Sequence, residues 1–433
     1  MRQQPSSTHA NTDRPPPRLR QADRSQLLPP MPLDDLLEDD HQARVVWDFC
    51  LGLDLSALYD AIRSRLGGPG RAALDPRLAV ALWLYATLEG IGSARRLNYL
   101  CTRHHGFRWL LGGVSVNYHS LADFRVQHLD LLDELLTHSV AVLRHEELVD
   151  LNRVANDGLR VRASAGAASF RRSATLQECL EEAREQVARL KEEMDDDPAA
   201  PSRRHAAARE RAARQRQERL QRALDRLPEM AAKKESGKKD QARCSTTDPE
   251  ATVMKMADGG YRPAYNLQYM ADCPSQVIVG VDVLTIGSDM GQLTPMGNQL
   301  HERFGQYPQE QLADGGFAKL EDIEEAEAAP RGTTVYVPVP QPKDKGRDPH
   351  QPLPSDSVTV AAWRQRMGTD EAKAIYKERA STVECVNAQA RNRGLVRLLV
   401  RGVHKVKAVA LWFAIAHNLV CGGRLRAKAA LAG

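Results

Sequence analysis

Three acidic residues in this 433-residue chain stand where a carboxylate could bind a metal ion. Asp157 closes the short apolar run Val154-Ala-Asn-Asp157 and is followed by Gly158. Asp314 closes Gln311-Leu-Ala-Asp314 and is followed by Gly315, Gly316 and Phe317. An Asp-Gly step at the end of a strand-like run holds a carboxylate at a strand tip where backbone or substrate comes close. Glu384 lies in Tyr376-Lys-Glu-Arg379-Ala-Ser-Thr-Val-Glu384-Cys-Val-Asn-Ala-Gln-Ala-Arg391, a run otherwise dominated by cations and small residues. A solitary Glu on a helix is ordinarily a solvated side chain, and it is the two Asp-Gly segments that give Glu384 a chemical reading. Two strand-tip aspartates and a helix glutamate offer oxygen ligands to one or two hard divalent cations, Mg2+ or Mn2+, alongside phosphate oxygens. A metal pair can activate an attacking hydroxyl and stabilise the leaving oxygen. This suits phosphodiester hydrolysis and, with a DNA 3′-hydroxyl as nucleophile, strand transfer.

The three acids are far apart in sequence, so only a fold can unite them. Asn152 to Ala163 reads as a strand carrying Asp157. Ala264 to Met270 and Gln276 to Leu284 read as two more, the latter alternating Val277, Val279, Val281 and Val283 with Ile278, Gly280 and Asp282. Glu310 to Ala313 leads into Asp314, a helix from Ala318 to Ala328 and a strand from Thr333 to Val339 follow, and a Pro-rich loop runs to about Asp356. Thr369, followed by Asp370 and Glu371, is the expected N-cap of the Glu384 helix, on which Glu384 and Arg391, seven apart, share a face. These elements imply a mixed α/β sheet. Leu176, Leu180, Ala183, Val187, Leu190 and Met194 recur at heptad-like spacing, as do Ala213, Gln217, Leu220, Leu224 and Leu227. With Asp195-Asp-Asp-Pro198 and Pro201 between them, they predict an antiparallel helical hairpin inserted over residues 174 to 240 together with the basic linker Lys233 to Lys239. The hairpin reads as a solvated arm or dimer contact.

Upstream, residues 1 to 32 are rich in Pro, Ser, Gln and Arg and are expected to be disordered. Residues 33 to 150 read as helical: Leu33 to Leu66, a breaker at Gly67-Gly-Pro-Gly70, a helix opened by Asp75-Pro76 with a stripe of Leu78, Leu82, Tyr85 and Leu88, and a helix capped by Ser120 carrying Asp123, Arg125, Gln127 and His128. Short helices around glycine turns can set a polar helix end against a DNA groove. Periodicity alone fits a plain helical bundle equally well.

Three blocks carry a family resemblance. Asp157-Gly-Leu-Arg-Val-Arg-Ala-Ser-Ala, Leu-Ala-Asp314-Gly-Gly-Phe, and Tyr376-x2-Arg379-x4-Glu384 followed by Arg391-Asn-Arg393-Gly-Leu resemble, in the same order, the catalytic blocks of bacterial DDE insertion-sequence transposases. Ser93-Ala-Arg-Arg-Leu, Phe107-Arg-Trp-Leu-Leu-Gly-Gly and His119-Ser-Leu-Ala-Asp-Phe-Arg are similar to the N-terminal domain of that branch. The resemblance spans about residues 33 to 420. It implies an RNase H-like catalytic domain over 151 to 420, a basic tail over 421 to 433, and Asp157, Asp314 and Glu384 as metal ligands. It also implies Tyr376, Arg379 and Arg391 as DNA contacts, and a homo-oligomer on double-stranded DNA comprising element ends and target. Two departures stand out. Arg391 occupies a place where Lys is common, changing the geometry but not the charge, and Asn387-Ala388 stand where an aromatic and Gly are often seen.

The formal charge of +4 announces no nucleic-acid partner by itself. Its distribution does: Lys377 to Lys428 holds eleven Lys or Arg against Glu378 and Glu384, and Arg391, Arg393 and Arg397 are expected to meet phosphates. Seven scattered cysteines with no Cys-x-x-Cys pair argue against a zinc module or a disulfide framework and fit a reducing cytoplasm. The longest apolar run, Leu78 to Leu88, is too short to span a bilayer, and the Pro- and Arg-rich N-terminus lacks a signal-peptide core. Asp248, Asp258, Asp272, Asp282 and Asp289 lie near strands or turns, which select Asp for local hydrogen bonding. The alternatives to a transposase are an RNase H-like nuclease without transposition and a DNA-binding protein whose acids are structural.

Overall fold

A computed structural model describes residues 31–64, 72–196, 203–342 and 346–432. The expected N-terminal tail up to residue 30, the Gly67-Gly-Pro-Gly70 breaker, the tip of the hairpin and part of the Pro-rich loop lie outside the described residues.

The helical half is built around α2 (Pro76–Leu88), packed by α1 (Gln42–Leu51) and followed by α3 (Tyr118–Gln127) and α4 (Leu129–His145). Asp75 caps α2 by accepting from the Arg77 amide, with Pro76 at the first helical position. The helix is enclosed over the whole of Ala79–Ala86 rather than along one stripe, because α1, α3 and the C-terminal helix cover it from different sides. The cap of α3 is Asn117, not Ser120: Asn117 Oδ1 accepts from the Ser120 amide, so the helix begins earlier than its Ser suggests. Arg125 of α3 is turned inward, donating to the Gly92 carbonyl and lying 4.8 Å from the Trp83 ring centre.

The sheet is mixed. Strands β1 (Arg153–Arg162), β2 (Tyr261–Asp272) and β3 (Ile278–Leu284) are antiparallel neighbours. On the other edge of β1, β4 (Glu310–Ala313) and then β5 (Thr334–Tyr336) run parallel. A short strand, Thr252–Lys255, pairs with the start of β2. The strands lie in the order β3-β2-β1-β4-β5, a mixed sheet as the sequence implied. Between β1 and β2 stand α5 (Ser173–Asp196) and α6 (Arg203–Ala232), whose heptad positions form their own small cores of Leu176, Leu180, Ala183, Leu220 and Leu227, and of Val187, Leu190 and Ala213. After β3 comes α7 (Leu293–Phe304), and after β5 the run that carries Glu384.

The last element, α10 (Val403–Ala432), is one continuous helix packed against α2, α3, α4 and β3. By length and composition it could cross a membrane, but 78% of its most apolar window is buried inside the protein. It is hydrophobic nearly all round, as a core helix must be. Phe413 meets Tyr269 of β2 edge-on, with ring centres 5.5 Å apart, and Trp412 donates to the Arg125 carbonyl, so α10 joins the helical half to the sheet. Phe413→Ala is expected to cost about 3–5 kcal/mol, read as a lowered urea midpoint of the full chain.

Candidate functional site

The parallel register of β1 and β4 pairs Asn156 with Ala313, so the next residues, Asp157 and Asp314, come side by side on one face. Both line a cleft of about 390 Å³ whose walls carry Arg160, Arg162, Arg262 and Arg391. Asp157 is largely enclosed. Its Oδ1 accepts from the Gly158 amide at 2.9 Å, and its Oδ2 accepts from Asn387 Nδ2 at 2.8 Å. Burial first, with the nearby Asp314 carboxylate adding to it, pushes the Asp157 carboxyl up to about 6, against the opposing pull of Arg379.

Glu384 arrives by a different route. Thr369 caps α8 (Asp370–Arg379) by accepting from the Ala372 amide. A π-helical turn, Ala380–Glu384, then links it to α9 (Cys385–Asn392). On an α-helix residues five apart point roughly 140° away from each other; a turn with i→i+5 bonding stacks them instead. The π turn therefore brings Arg379 and Glu384 to one side, where Arg379 Nη2 donates to Glu384 Oε1 at 2.5 Å while Nη1 lies 3.9 Å from Asp157 Oδ2. One guanidinium bridges the strand aspartate and the helix glutamate. Tyr376 backs it, with the guanidinium carbon 5.7 Å from its ring centre.

The remaining expected contacts separate. Arg391 lines the cleft with Asp157 and Asp314. Arg397 is exposed and pairs, strand-like, with Arg162 at the end of β1. Arg393 points elsewhere: it is half buried beside Gly90, its Nη1 enclosed without a hydrogen-bond partner, in a small cavity shared with Thr87, Arg125 and Phe413.

Several cleft residues are absent from the sequence-based expectation. Arg160 and Arg162 stand three and five residues past Asp157, where strict strand alternation would put them on the opposite face, yet all three line the cleft. Asn387 was visible only as a departure from the family pattern, and its amide turns out to hold Asp157. Asp289 is buried, and its Oδ1 accepts from Asn266 and Gln268, both at 2.6 Å, while Arg160 lies 3.5 Å from Oδ2. It explains Gly158. A Cβ at Gly158 would sit 2.2 Å from Asp289 Oδ1, and one at Gly316 would sit 2.9 Å from Asp314 Oδ1 and 3.8 Å from Asp289 Oδ2. What approaches Gly158 is the Asp289 side chain, whereas Gly316 is confined by the Asp314 carboxylate two residues before it and Gly315 stands open. The other competing acids have local partners. Asp248 accepts from Tyr265, Asp272 from Ser275, Asp258 from Arg262 and Asp282 from Lys407.

Among the described residues, no group of three or more His, Cys, Asp or Glu side chains stands close enough, as placed, to hold a metal ion. The donor set nonetheless suits a hard cation. Asp157 and Asp314 repel one another in a desolvated setting, and Arg379 supplies positive charge between Asp157 and Glu384.

A mixed α/β sheet thus sets one carboxylate midway along β1 and a second just past the end of its parallel neighbour β4, with a third on a following helix and arginines around the cleft. Residues 31–127 match the family model Transposase domain (DUF772), and residues 350–421 match Transposase DDE domain. Together the two matches support an insertion-sequence DDE transposase, the class the sequence blocks resemble. The second match contains Glu384 and Arg391, whereas Asp157 and Asp314 precede it. No curated protein and no solved structure matches the chain.

Two outcomes follow from this geometry. Because the folded-state carboxyl of Asp157 sits near 6 rather than its ordinary 3.8, its contribution to stability is present below pH 4 and is lost as pH rises through 6. In chelator, Asp157→Asn should therefore melt higher than wild type at pH 8, by up to about 3 kcal/mol, with no advantage at pH 4. Gly158→Ala should cost about 1–3 kcal/mol by collision with Asp289. In a double-mutant cycle with Asp289→Ala, part of that penalty should disappear; strict additivity in chemical denaturation would show that the two do not compete for the same space.

Proposed function

We propose that the chain cleaves DNA at element ends and joins them to target DNA by metal-dependent phosphoryl transfer, with Asp157, Asp314 and Glu384 as the ligands of Mg2+ or Mn2+. The observation that carries this reading is the side-by-side placement of Asp157 and Asp314 with Arg379 reaching from Asp157 to Glu384. The bound cations would supply an activated hydroxyl and a stabilised leaving oxygen. The chain's own residues do the rest. Gly158 N–H and Asn387 fix the Asp157 carboxylate, leaving its charge facing the cleft. Arg379, held between Tyr376 and the two acids, keeps Asp157 and Glu384 from repelling one another before DNA arrives, and can turn to a phosphate when it does. Arg391 on the wall and Arg397 at the end of β1 meet the backbone of the bound strand, while Arg393 packs between elements. The helical half, with Asn117 at the exposed start of α3, reads the duplex.

Single replacement of Asp157, Asp314 or Glu384 by Asn or Gln keeps size and hydrogen bonding but removes a ligand charge. Expected are DNA binding within about threefold of wild type in a gel-shift assay and a loss of Mg2+-dependent nicking and strand joining by a factor of about 10² or more. Cleavage that survives all three replacements would remove these acids from the mechanism. Cleavage without joining would favour a nuclease of the same fold.

A further inference from the structure

The helical hairpin meets the rest of the protein at a second charged cavity. It measures about 400 Å³ and lies between α6, the loop before Thr252 and the entrance to α10. Four cations line it: Arg219 and Arg222 from α6, and Arg401 and Lys405 from the start of α10. None of the four has a carboxylate partner within salt-bridge distance among the described residues. The acids on the same wall are mostly engaged elsewhere. Asp248 Oδ1 accepts from Tyr265 and from the Gly402 amide, and Glu250 Oε2 accepts from the Val403 amide, so both are occupied in capping α10; Glu218 is the remaining carboxylate there. Arg219 is the most exacting member. Its Nε is enclosed without a hydrogen-bond partner, and after burial the charges of Arg401, Arg222 and Arg216 act against its own. Four cations against three carboxylates leave positive charge in excess at this cavity, and an anion would complete the set.

Strand β1 connects this cavity to the acid cleft. Arg160 and Arg162, two apart and therefore on one face, line the cleft beside Asp157. Two residues past Arg162, the Ser164 carbonyl accepts from Arg401 Nε at 3.3 Å. From Asp157 to Ser164 an extended chain covers about 23 Å, the length of roughly seven base steps of a DNA strand. The cations therefore follow one line from the acids outward: Arg160, Arg162, Arg401, then Arg219 and Arg222 of the hairpin.

We propose that the hairpin is a DNA-binding arm, and that Arg219, Arg222, Arg401 and Lys405 form a phosphate site gripping the backbone of the duplex whose cut strand lies in the acid cleft. This rests on the DNA-processing reading above and adds a site to it. Backbone contacts of this kind position DNA without reading its sequence.

The test uses the full chain and labelled random-sequence duplex DNA in chelator, so that binding alone is read. The variants are Arg219→Gln/Arg222→Gln, Arg401→Gln/Lys405→Gln, the exposed single change Lys405→Gln, and Arg391→Gln/Arg397→Gln for the cleft. Each hairpin-junction double variant should weaken binding about tenfold at low salt and reduce the salt slope by about one to two. Their melting temperatures should equal or exceed that of wild type, because repulsion among the arginines is relieved; Lys405→Gln should give a smaller loss of binding without disturbing the half-buried Arg219. If the cleft variant loses affinity while all three junction variants bind like wild type, the arm is overturned and the DNA reading stands. If wild type binds no duplex, the DNA reading itself fails. If the junction variants change only the sedimentation of the free protein, the cluster is a contact between copies and the proposal is overturned.

Discussion

Two carboxylates held next to each other in a partly dry cleft repel, and much of the architecture around this site can be understood as a response to that repulsion. Parallel pairing of β1 with β4 leaves Asp157 and Asp314 no choice of separation. Removal of the Asp157 carboxyl from water is the main reason it is pushed up to about 6, and the neighbouring Asp314 charge adds to that rise. Donors are then brought in from different parts of the chain: the Gly158 amide from the strand, and Asn387 and Arg379 from the helices after β5. The π turn belongs to the same response, because a regular helix would swing Glu384 away from the guanidinium that also serves Asp157. A site that stores charge this way is poorly optimised for stability.

The parts of this arrangement visible in the sequence are those in which local chemistry and global structure agree. Strand β4 and the Asp314 just past it follow from a short run ending in Leu312-Ala313 before glycines, the Thr369 cap from an acidic first turn, and the hairpin from heptad spacing. Where one turn residue competes with another, local reading slips. Asn117 and Ser120 are both good caps, and only the packing of Leu121 under Trp83, whose indole donates to the Leu121 carbonyl, selects the earlier start. Helix α10 gives no amphipathic period because it is enclosed from several sides, so its stretch reads as a basic, apolar segment rather than as one thirty-residue rod.

The elements of the site that could not be read are those made by residues distant in sequence. An Asp-Gly step announces a close approach but not its partner, and Asp289, more than a hundred residues from Gly158, supplies it. Asn387 looks like a weakened motif position until the fold sets its amide against Asp157 across 230 positions. Arg125 shows the converse. In a helix with polar neighbours it looks like a groove-reading side chain, yet it is spent on the Gly92 carbonyl and the Trp83 face, tying α3 to α2.

Charge distribution resolves what net charge obscures. A surplus of four positive charges over 433 residues could not draw a polyanion to a particular place; screening would erase so diffuse a field within about 10 Å. A carboxylate cleft is moreover the worst place on a protein surface for DNA to approach unaided. The arginines on its walls, Arg160, Arg162, Arg262 and Arg391, offset that repulsion at the distance where it acts. Arg262 is partly committed to Asp258 and Arg160 leans toward Asp289, which leaves Arg162 and Arg391 as the freer charges at the mouth. Half-buried acids on β1 and just past β4, and cations along the strand leading away from them, are thus two halves of one electrostatic arrangement in which each set of charges offsets the field of the other.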